Sequence, residues 1–568
     1  MHQAAPLDRE LEVGDGRSRE VQHRPSSSPR LSYHLPVNLD RRGFLRLATA
    51  AAAGLLGKRS AAADPAATPL EIHRATRNTR AGALGDRLRA YRPTRSAFKP
   101  FVGRPRVTLP RPAWATGRAL FEVAADDGSE AAFAGQDCSL VELARLLFLA
   151  NGITEARSKP PLRAAPSAGA LYAGEVYVAV ERVSGLAPGL YSYSVGGHQL
   201  VALSEAAGLE QVALALENPS AAEGAAFAVL LSNVFGRYAI RYANRGYRYA
   251  LIDSGHIGEN LRLAAAELGL RESAEGRFED DRLNALLDVD GREEAVCAVH
   301  LVGRPGREAT PTPGPRRRLE ERQQQEPAAL APGLPEPVRY HEATKLVAAD
   351  TAGGRTRRGA APATAPRASG SAAARTARPR PGPGAAGRAS DTPVHAAIRI
   401  RRSARRFEPA PLARADLMQI LAIAQAASST RRSGEIELHS VVHRVLELAP
   451  GLYAWDPAGQ SLEPRRPGEL AGPLVRACLG QRKTGQAAAA VVAVAKLDEA
   501  SARGGARSYR QLLLEAGATA QRIYLAAEAL GLAARNLAAY YDDELDALLG
   551  LDGARRVAVH LTAVGPGD

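Results

Sequence analysis

Apolar residues recur along this chain with two periods, and the two alternate. In SLVELARLLFLA (139–150) and ADLMQILAIAQAA (415–427), leucine and isoleucine fall at helical intervals, which predicts two amphipathic helices. EVYVAVERV (175–183) alternates apolar and polar positions as a strand does, and GLYSY (189–193) predicts a hairpin-like return. GHIGENLRLAAAELGL (255–270) predicts a helix apolar on most sides, whose alanines permit close approach of a neighbour. Such a helix is buried, here against a second copy of its own unit. AVCAVHLVG (295–303) and VAVHLTAVG (557–565) predict closing strands. From about 305 to 390 no period is sustained, which predicts a disordered stretch.

The elements repeat at a constant offset. APGLYSY (187–193) returns as APGLYAW (449–455), AAELGL (265–270) as AEALGL (527–532), and LNALLDVDG (283–291) as LDALLGLDG (545–553). Pro188 and Pro450, Leu268 and Leu530, and Asp290 and Asp552 are each 262 positions apart. A shift held without a gap over that length marks a duplication. The lead-in segments echo each other too, as IHRATRN from Ile72 and YHEATKL from Tyr340. The expected organisation is an N-terminal extension (1–63), a first domain (64–303), a Pro/Ala/Arg-rich disordered linker (304–392) and a second domain (393–568).

Composition adjusts this picture only in part. The 568 residues carry a formal charge of +14, but much of the excess arginine lies in 304–325 and 353–390, outside the patterned segments. No nucleic-acid motif and no interleaved aromatics accompany it, so no nucleic-acid partner is expected. Cys138, Cys297 and Cys478 lack CxxC spacing and point to packing, with no metal expected. Near the N-terminus, Arg41-Arg42 precede Phe44-Leu45, an Ala/Gly/Leu run and an Ala-Ala-Ala ending at Ala63. The run is too short to span the ~30 Å core of a bilayer, so no stable membrane anchor is expected. It resembles a twin-arginine export signal cleaved after Ala63, departing from that pattern at Asp40 and Arg46. The expected location is periplasmic or otherwise extracytoplasmic, with a cytoplasmic one as the alternative.

RAAPSAGALYAGEVYVAV (163–180), RYANRGYRYALIDSGHIGENLRLAAAELGL (241–270), GRFEDDRLNALLDVDG (276–291) and AAIRIRRSARRFEPAPLARADLMQILAIAQAA (396–427) together resemble the FMN-dependent nitroreductase superfamily. Within it they look most like the SagB-type dehydrogenases, relatives of the oxidases that convert azolines to azoles. The resemblance covers roughly 70–303 and 395–568. It implies an α+β fold, a mostly antiparallel sheet packed between helices, working as an intertwined dimer. Each FMN would then lie at the interface and exchange hydride through its N5. NAD(P)H is a candidate reductant, and the substrate is a small molecule or a peptide.

The residues agree with the resemblance. Arginine forks suit a phosphate, which nominates Arg401, Arg402, Ser403 and Arg405 for the FMN phosphate. Pro166, Ser167, Ala168 and Gly169 form a turn whose small residues admit an aromatic ring system. The repeat makes these sites unequal. Moved forward by 262, the PSAG turn becomes Ser428, Ser429, Thr430 and Arg431. Matching LARLL at 143 to LMQIL at 417 places RRSARRF over DGSEAAF (127–133), where every arginine is gone. One composite FMN site per chain is therefore expected, in an intramolecular pseudo-dimer. The complementary site, from Asp127–Ala131 and Ser428–Arg431, is expected to stay empty.

Azoline-oxidising relatives carry Lys-Tyr where this chain has Arg241-Tyr242. Tyr242 is the candidate acid or base, with an ordinary strand tyrosine as the alternative. Arginine holds its proton too firmly for that role, but it suits positioning of an anionic substrate. This departure weighs against azoline oxidation, and the second copy has Arg503-Gly504 instead. His256, after Gly255 at an expected helix start, suits capping or packing better than catalysis. The alternative function is a flavin-free descendant that binds a peptide or partner.

Overall fold

The computed structural model describes residues 68–80, 98–114, 117–125, 132–158, 160–306, 316–321, 337–348, 391–426 and 435–568. The N-terminal segment read as an export signal and both halves of the expected empty site (127–131 and 428–431) lie outside them. Among the described residues no helix is long and apolar enough to cross a membrane. Cys138, Cys297 and Cys478 are buried and unbridged.

Each repeat builds one antiparallel sheet. The first contains β1 (Arg106–Thr108), β2 (Gly174–Val180), β3 (Gly189–Ser194), β4 (Gln199–Ser204), β5 (Phe227–Val234), β6 (Arg271–Glu275) and β7 (Glu294–Gly303) in the order β1-β4-β3-β2-β5-β7-β6. A short ladder follows, β8 (Leu319–Glu321) against β9 (Leu346–Ala348). The second sheet contains β10 (Ile436–Val442), β11 (Gly451–Asp456), β12 (Ser461–Pro467), β13 (Ala489–Lys496), β14 (Ala533–Leu537) and β15 (Arg556–Gly565) in the order β12-β11-β10-β13-β15-β14. Apart from the extra edge strand β1, the two orders coincide element for element. The expected α+β class of two tandem domains holds, because each half repeats one chain topology.

The helices that matter here are α1 (Pro69–Ala75), α2 (Leu140–Asn151), α3 (Gly236–Tyr242), α4 (Gly246–Glu267), α5 (Asp280–Leu286), α6 (Pro337–Ala343), α7 (Val394–Ile400), α8 (Arg414–Ala424), α9 (Leu497–Ala529) and α10 (Asp542–Leu549). Helix α2 starts on a capping box, Ser139 with Glu142, as a Ser-x-x-Glu sequence should. The long helices α4 and α9 lie against each other between the two sheets. Their crossing is set by Gly255 and Gly517, which the repeat makes equivalent. A Cβ on Gly255 would sit 2.1 Å from the Leu514 carbonyl oxygen, and one on Gly517 would sit 2.0 Å from that of Ile252. The predicted close approach is real, but glycine permits it where alanine was expected to. One continuous core runs through both domains at this interface, and smaller clusters cover the outer face of each sheet.

Two buried ionic latches flank the crossing, and they are repeat-equivalent. In the first, Arg245, which caps the start of α4, and Arg248 of α4 bind the Asp542 carboxylate of α10 at 2.5 and 2.6 Å. Arg248 also donates to the Thr76 hydroxyl (2.8 Å) and the His73 carbonyl (2.6 Å) of the N-terminal lead-in. In the second, Arg507 and Arg510 of α9 bind Asp280 of α5, both at 2.6 Å. Arg510 donates to the Thr344 hydroxyl at 2.6 Å. Each latch joins a lead-in, the long helix of one domain and the acidic helix of the other. Burial pushes the pKa of His73 and His341 well down, so both rings stay neutral in these cationic surroundings.

The expectation of a structureless linker over 304–392 is corrected for 316–321 and 337–348. Those residues form α6 and the β8–β9 ladder, and Arg317 and Lys345 pair with Glu279 and Asp281, each at 2.9 Å. Their charged, Pro-rich surroundings hide the fact that His341, Thr344 and Lys345 are buried.

Two outcomes follow. Replacing Gly517 with Ala should force the long helices apart and destabilise the fold by about 1–3 kcal/mol, read by chemical denaturation. A site-specific protease sequence placed after Ala360 and cut should leave both halves co-eluting on native size exclusion. Separation of the halves would contradict the shared core and latches.

Candidate functional site

The two segments nominated for FMN come from different domains, and they meet. Arg401, just after α7, sends Nε to the Ala164 carbonyl (3.3 Å) and Nη2 to the Arg163 carbonyl (3.4 Å), directly ahead of the Pro166–Gly169 turn. Its guanidinium lies over the Tyr524 ring at 5.1 Å. Arg402 reaches Thr154 of the first domain through its carbonyl (3.2 Å) and hydroxyl (3.4 Å). Ser403 is an exposed residue whose Oγ sits 2.8 Å from the Tyr524 phenol oxygen. Arg405 has an exposed side chain, and its backbone N–H is held by the Asp568 carbonyl at 2.6 Å.

Two further cations converge on this loop. Arg535 donates to the Ala404 carbonyl at 2.8 Å, and Lys483 donates to the Arg405 carbonyl. Desolvation and the neighbouring Arg535 push the Lys483 pKa down. Neither residue was visible from local sequence, because both come from elements far along the chain that only folding brings to 401–405.

The turn at 166–169 is strained and firmly held. Gly169, Ala170 and Tyr172 all have positive φ (63°, 55° and 48°), which is costly for the last two. The Ser167 hydroxyl accepts the Tyr172 N–H (2.9 Å) and bonds the Tyr238 phenol (2.8 Å), and Arg237 donates to the Tyr172 carbonyl (2.8 Å). Asp253, from the middle of α4, accepts the Ala168 N–H at 3.1 Å and the Tyr238 hydroxyl. Burial raises the Asp253 pKa to about 7, against hydrogen bonds that favour its charged form. Pro166 and Ala168 sit half-buried at the turn, and Gly169 is exposed.

Arg241 and Tyr242 end helix α3 beside that turn, so Tyr242 is a helical residue and not the strand tyrosine of the alternative reading. A Cβ on Gly169 would lie 2.5 Å from the Tyr242 phenol oxygen and 3.2 Å from Arg241 Nη1. Burial raises the Tyr242 pKa to about 12, opposed by the neighbouring Arg241. The predicted catalytic pair and the predicted ring-binding turn therefore share one spot. His256 is corrected from helix start to mid-helix. Its Nδ1 lies 2.9 Å from Gln521 Oε1 and its Nε2 lies 3.0 Å from Asn536 Nδ2, in a buried polar chain between the domains. Asn536 continues the chain by donating its backbone N–H to the Tyr524 phenol at 2.8 Å.

The repeat-equivalent positions across the interface are occupied differently. Glu515, Arg522, Glu259 and Arg262 stand where the composite site has Asp253, Asn260, Gln521 and Tyr524. They form one buried ionic chain: Arg522 to Glu515 at 3.0 Å, Arg522 to Glu259 at 3.1 Å, and Arg262 to Glu259 at 2.8 Å. A cavity of about 30 Å³ also lies on that side, lined by Ala298, Arg507, Gln511 and Ala518 among others. It has room for a water or two.

The fit of the composite site to FMN rests on Arg401. The buried Arg245, Arg248, Arg507, Arg510 and Arg522 each face a carboxylate within 3.1 Å. Arg401 is 4% exposed, and no ion pair to a carboxylate is found for it among the described residues. Burial depresses its pKa, and the Tyr524 phenol and the Glu528 carboxylate, beyond ion-pair distance, oppose this only in part. Two of its five donors are engaged by carbonyls, leaving the fork able to take a phosphate. Pro166–Gly169, Ser403 and the exposed Arg405 complete a site with a cationic end and a small-residue end, as an FMN requires.

Asp253 supplies a pH test. Its pKa is raised in the folded state, so its contribution to stability grows as pH falls from about 7 toward its ordinary value near 4. Asp253→Asn keeps an acceptor for Ala168 but stays neutral. The wild-type gain in thermal midpoint between about pH 8 and pH 5 should shrink in this variant. Identical pH profiles for the two proteins would contradict the assignment.

Comparison with known proteins agrees with the fold. The family profile described as "Nitroreductase family" matches residues 132–304 and 398–565. A protein of Methanocaldococcus jannaschii named for a nitroreductase is 34% identical over 152 residues, 27% of this chain and 75% of its own length. The trifolitoxin-processing protein TfxB of Rhizobium leguminosarum bv. trifolii is 32% identical over 148 residues, 25% of this chain. Only 39% of TfxB's length is covered. A crystal structure from Anabaena variabilis, also named for a nitroreductase, has the same fold with a TM-score of 0.67 and 24% identity. It matches over 88% of this chain and all of its own. With both repeats matched by the family profile and their sheets superposing on a family fold, the chain belongs to the nitroreductase family.

Proposed function

We propose that the chain is an FMN-dependent oxidoreductase with one composite flavin site, made by the 401–405 loop of the second domain and the 166–169 turn of the first. The buried Arg401, with no carboxylate within ion-pair distance among the described residues, carries this reading. Left without an anion, it would be a desolvated cation that folding gains nothing by keeping. Arg401, Arg402, Ser403 and Arg405 hold the phosphate end, with Lys483 and Arg535 fixing the loop that presents them. Ser167, Ala168 and Gly169 lie along the ring end, in a backbone shape held by Tyr238, Arg237 and Asp253.

When bound, FMN supplies reversible hydride exchange at N5. At neutral pH Tyr242 keeps its proton on the phenol oxygen, as its raised pKa requires, and acts there as a donor. Arg241 stays charged and orients. The ionic chain of Glu515, Arg522, Glu259 and Arg262 occupies the equivalent positions on the other side, which supports a single flavin per chain. The motifs favour a SagB-type dehydrogenase within the family, acting on a small molecule or a peptide with NAD(P)H as one candidate reductant. The name of TfxB ties that relative to processing of a peptide toxin, which keeps a peptide substrate in view. Export by the twin-arginine route belongs to the same proposal and would carry the flavin already seated.

Reconstitution with excess FMN, followed by desalting and quantitation of flavin against protein, should give one FMN per chain. Zero or two would overturn the proposal. The double variant Arg401→Ala with Ser167→Ala should weaken FMN binding roughly 10- to 100-fold, from loss of charge-assisted hydrogen bonding. Undiminished affinity in that variant would contradict the site.

A further inference from the structure

The pair at the ring end of the site has an arrangement that its repeat-equivalent lacks. Arg503, the counterpart of Arg241, is bound by Glu435 at 2.7 Å and lies 4.0 Å from Glu499. Arg241 is exposed, its Nη1 faces Gly169, and among the described residues no carboxylate pairs with it; its guanidinium lies 5.7 Å from the Tyr242 ring. No hydrogen-bond partner for the Tyr242 phenol is found among the described residues either. The nearby carboxylate, Asp253, is already engaged by Ala168 and Tyr238. Two donors, one of them cationic, thus reach a single point above Gly169 with no acceptor assigned to them.

The backbone behind the pair is held at a cost. After Tyr242 the chain kinks at Ala243 with φ 44° and ψ −133°. The second repeat makes the same kink at the equivalent Gly505, with φ 51° and ψ −146°. Glycine adopts that shape freely, and alanine is strained in it. Strain kept at the copy with the flavin site, and absent from the other copy, marks a residue pair whose direction matters. The Tyr249 ring, edge-on to Tyr242 at 4.7 Å and anchored by its hydroxyl on the Ala538 carbonyl (3.0 Å), braces the phenol.

We propose that Arg241 and Tyr242 form a receptor for a carboxylate on the substrate, so that the organic molecule exchanging hydride at this site is an acid. This rests on the FMN reading above. Arginine's fork and a protonated phenol together match the two oxygens of a carboxylate. A lysine at 241 would present a point charge without that fork.

The test uses the full-length, FMN-loaded chain with benzoate and its neutral analogue benzamide, followed by calorimetry and by perturbation of the flavin visible band. Wild type should bind benzoate roughly 10- to 100-fold more tightly than benzamide. In Arg241→Gln the preference should fall to within about threefold, and Arg241→Lys should keep an intermediate preference. Arg503→Gln, whose guanidinium is already paired, should leave the preference unchanged. N-acetyl-Ala-Phe compared with its C-terminal amide separates the two sources of such an acid. Discrimination there as strong as with benzoate assigns a peptide C-terminus, and discrimination confined to benzoate assigns a small organic acid. A flavin-loaded chain that binds benzoate and benzamide alike, or whose preference survives Arg241→Gln, overturns the inference alone. A chain that takes up no flavin overturns the FMN reading and this inference with it.

Discussion

The contact between Gly255 and Gly517 is the constraint on which everything else depends. Two helices of more than twenty residues can lie with each backbone against a carbonyl of the other only where neither carries a Cβ. That closeness lets the inner faces of both sheets share one core. It also brings Arg245 and Arg248 within reach of Asp542, and Arg507 and Arg510 within reach of Asp280. The latches are ionic and fully buried, so each arginine would be a liability without its carboxylate. Pairing with the arginines holds the Asp542 and Asp280 carboxyls below the ordinary range, outweighing the upward push of burial. They therefore stay charged in mild acid, and their contribution fades only as pH falls through those depressed values.

Duplication placed the same elements on both sides of this crossing, and side-chain replacement then made the sides unequal. On one side buried arginines meet glutamates, as in Arg522 with Glu515 and Glu259. On the other, Asp253 holds a backbone turn, Tyr524 braces a serine, and Arg401 has no carboxylate within ion-pair distance among the described residues. The comparison within one molecule does what a family alignment would otherwise do. It separates residues required by the fold, which recur, from residues required by the site, which do not. The arginines of the latches recur at 245/507 and 248/510, whereas those of the 401–405 loop have no counterpart at 127–131.

Much of the fold was legible because a constant offset survives in the sequence and period-2 and period-3.6 patterns mark the elements. The start of α4 was not. The expected helix began at Gly255, nine residues late, because the carboxylate that lets Arg245 and Arg248 be buried lies nearly three hundred positions away. Separation in sequence from its partners also concealed the strap at 337–348. Its likeness to the first lead-in was visible, but its role depends on Asp280 and Arg510. At the site, local motifs picked out 166–169 and 401–405, since backbone shape and charge are written there in adjacent residues. Asp253, Tyr238, Lys483 and Arg535 have no local signature and enter only through tertiary geometry.

The first latch has a consequence for how the protein is made. Its arginines sit near residue 245, its threonine at 76, and its carboxylate at 542. During synthesis at about 5–20 residues per second, Arg245 and Arg248 wait on the order of 15–60 seconds before Asp542 exists. For that interval the nascent first domain carries two buried-type cations and an uncovered apolar helix face. The second lead-in emerges earlier than its own partners in α9, so it cannot close the gap alone. Completion of the last thirty or so residues should therefore act as the commitment step of folding.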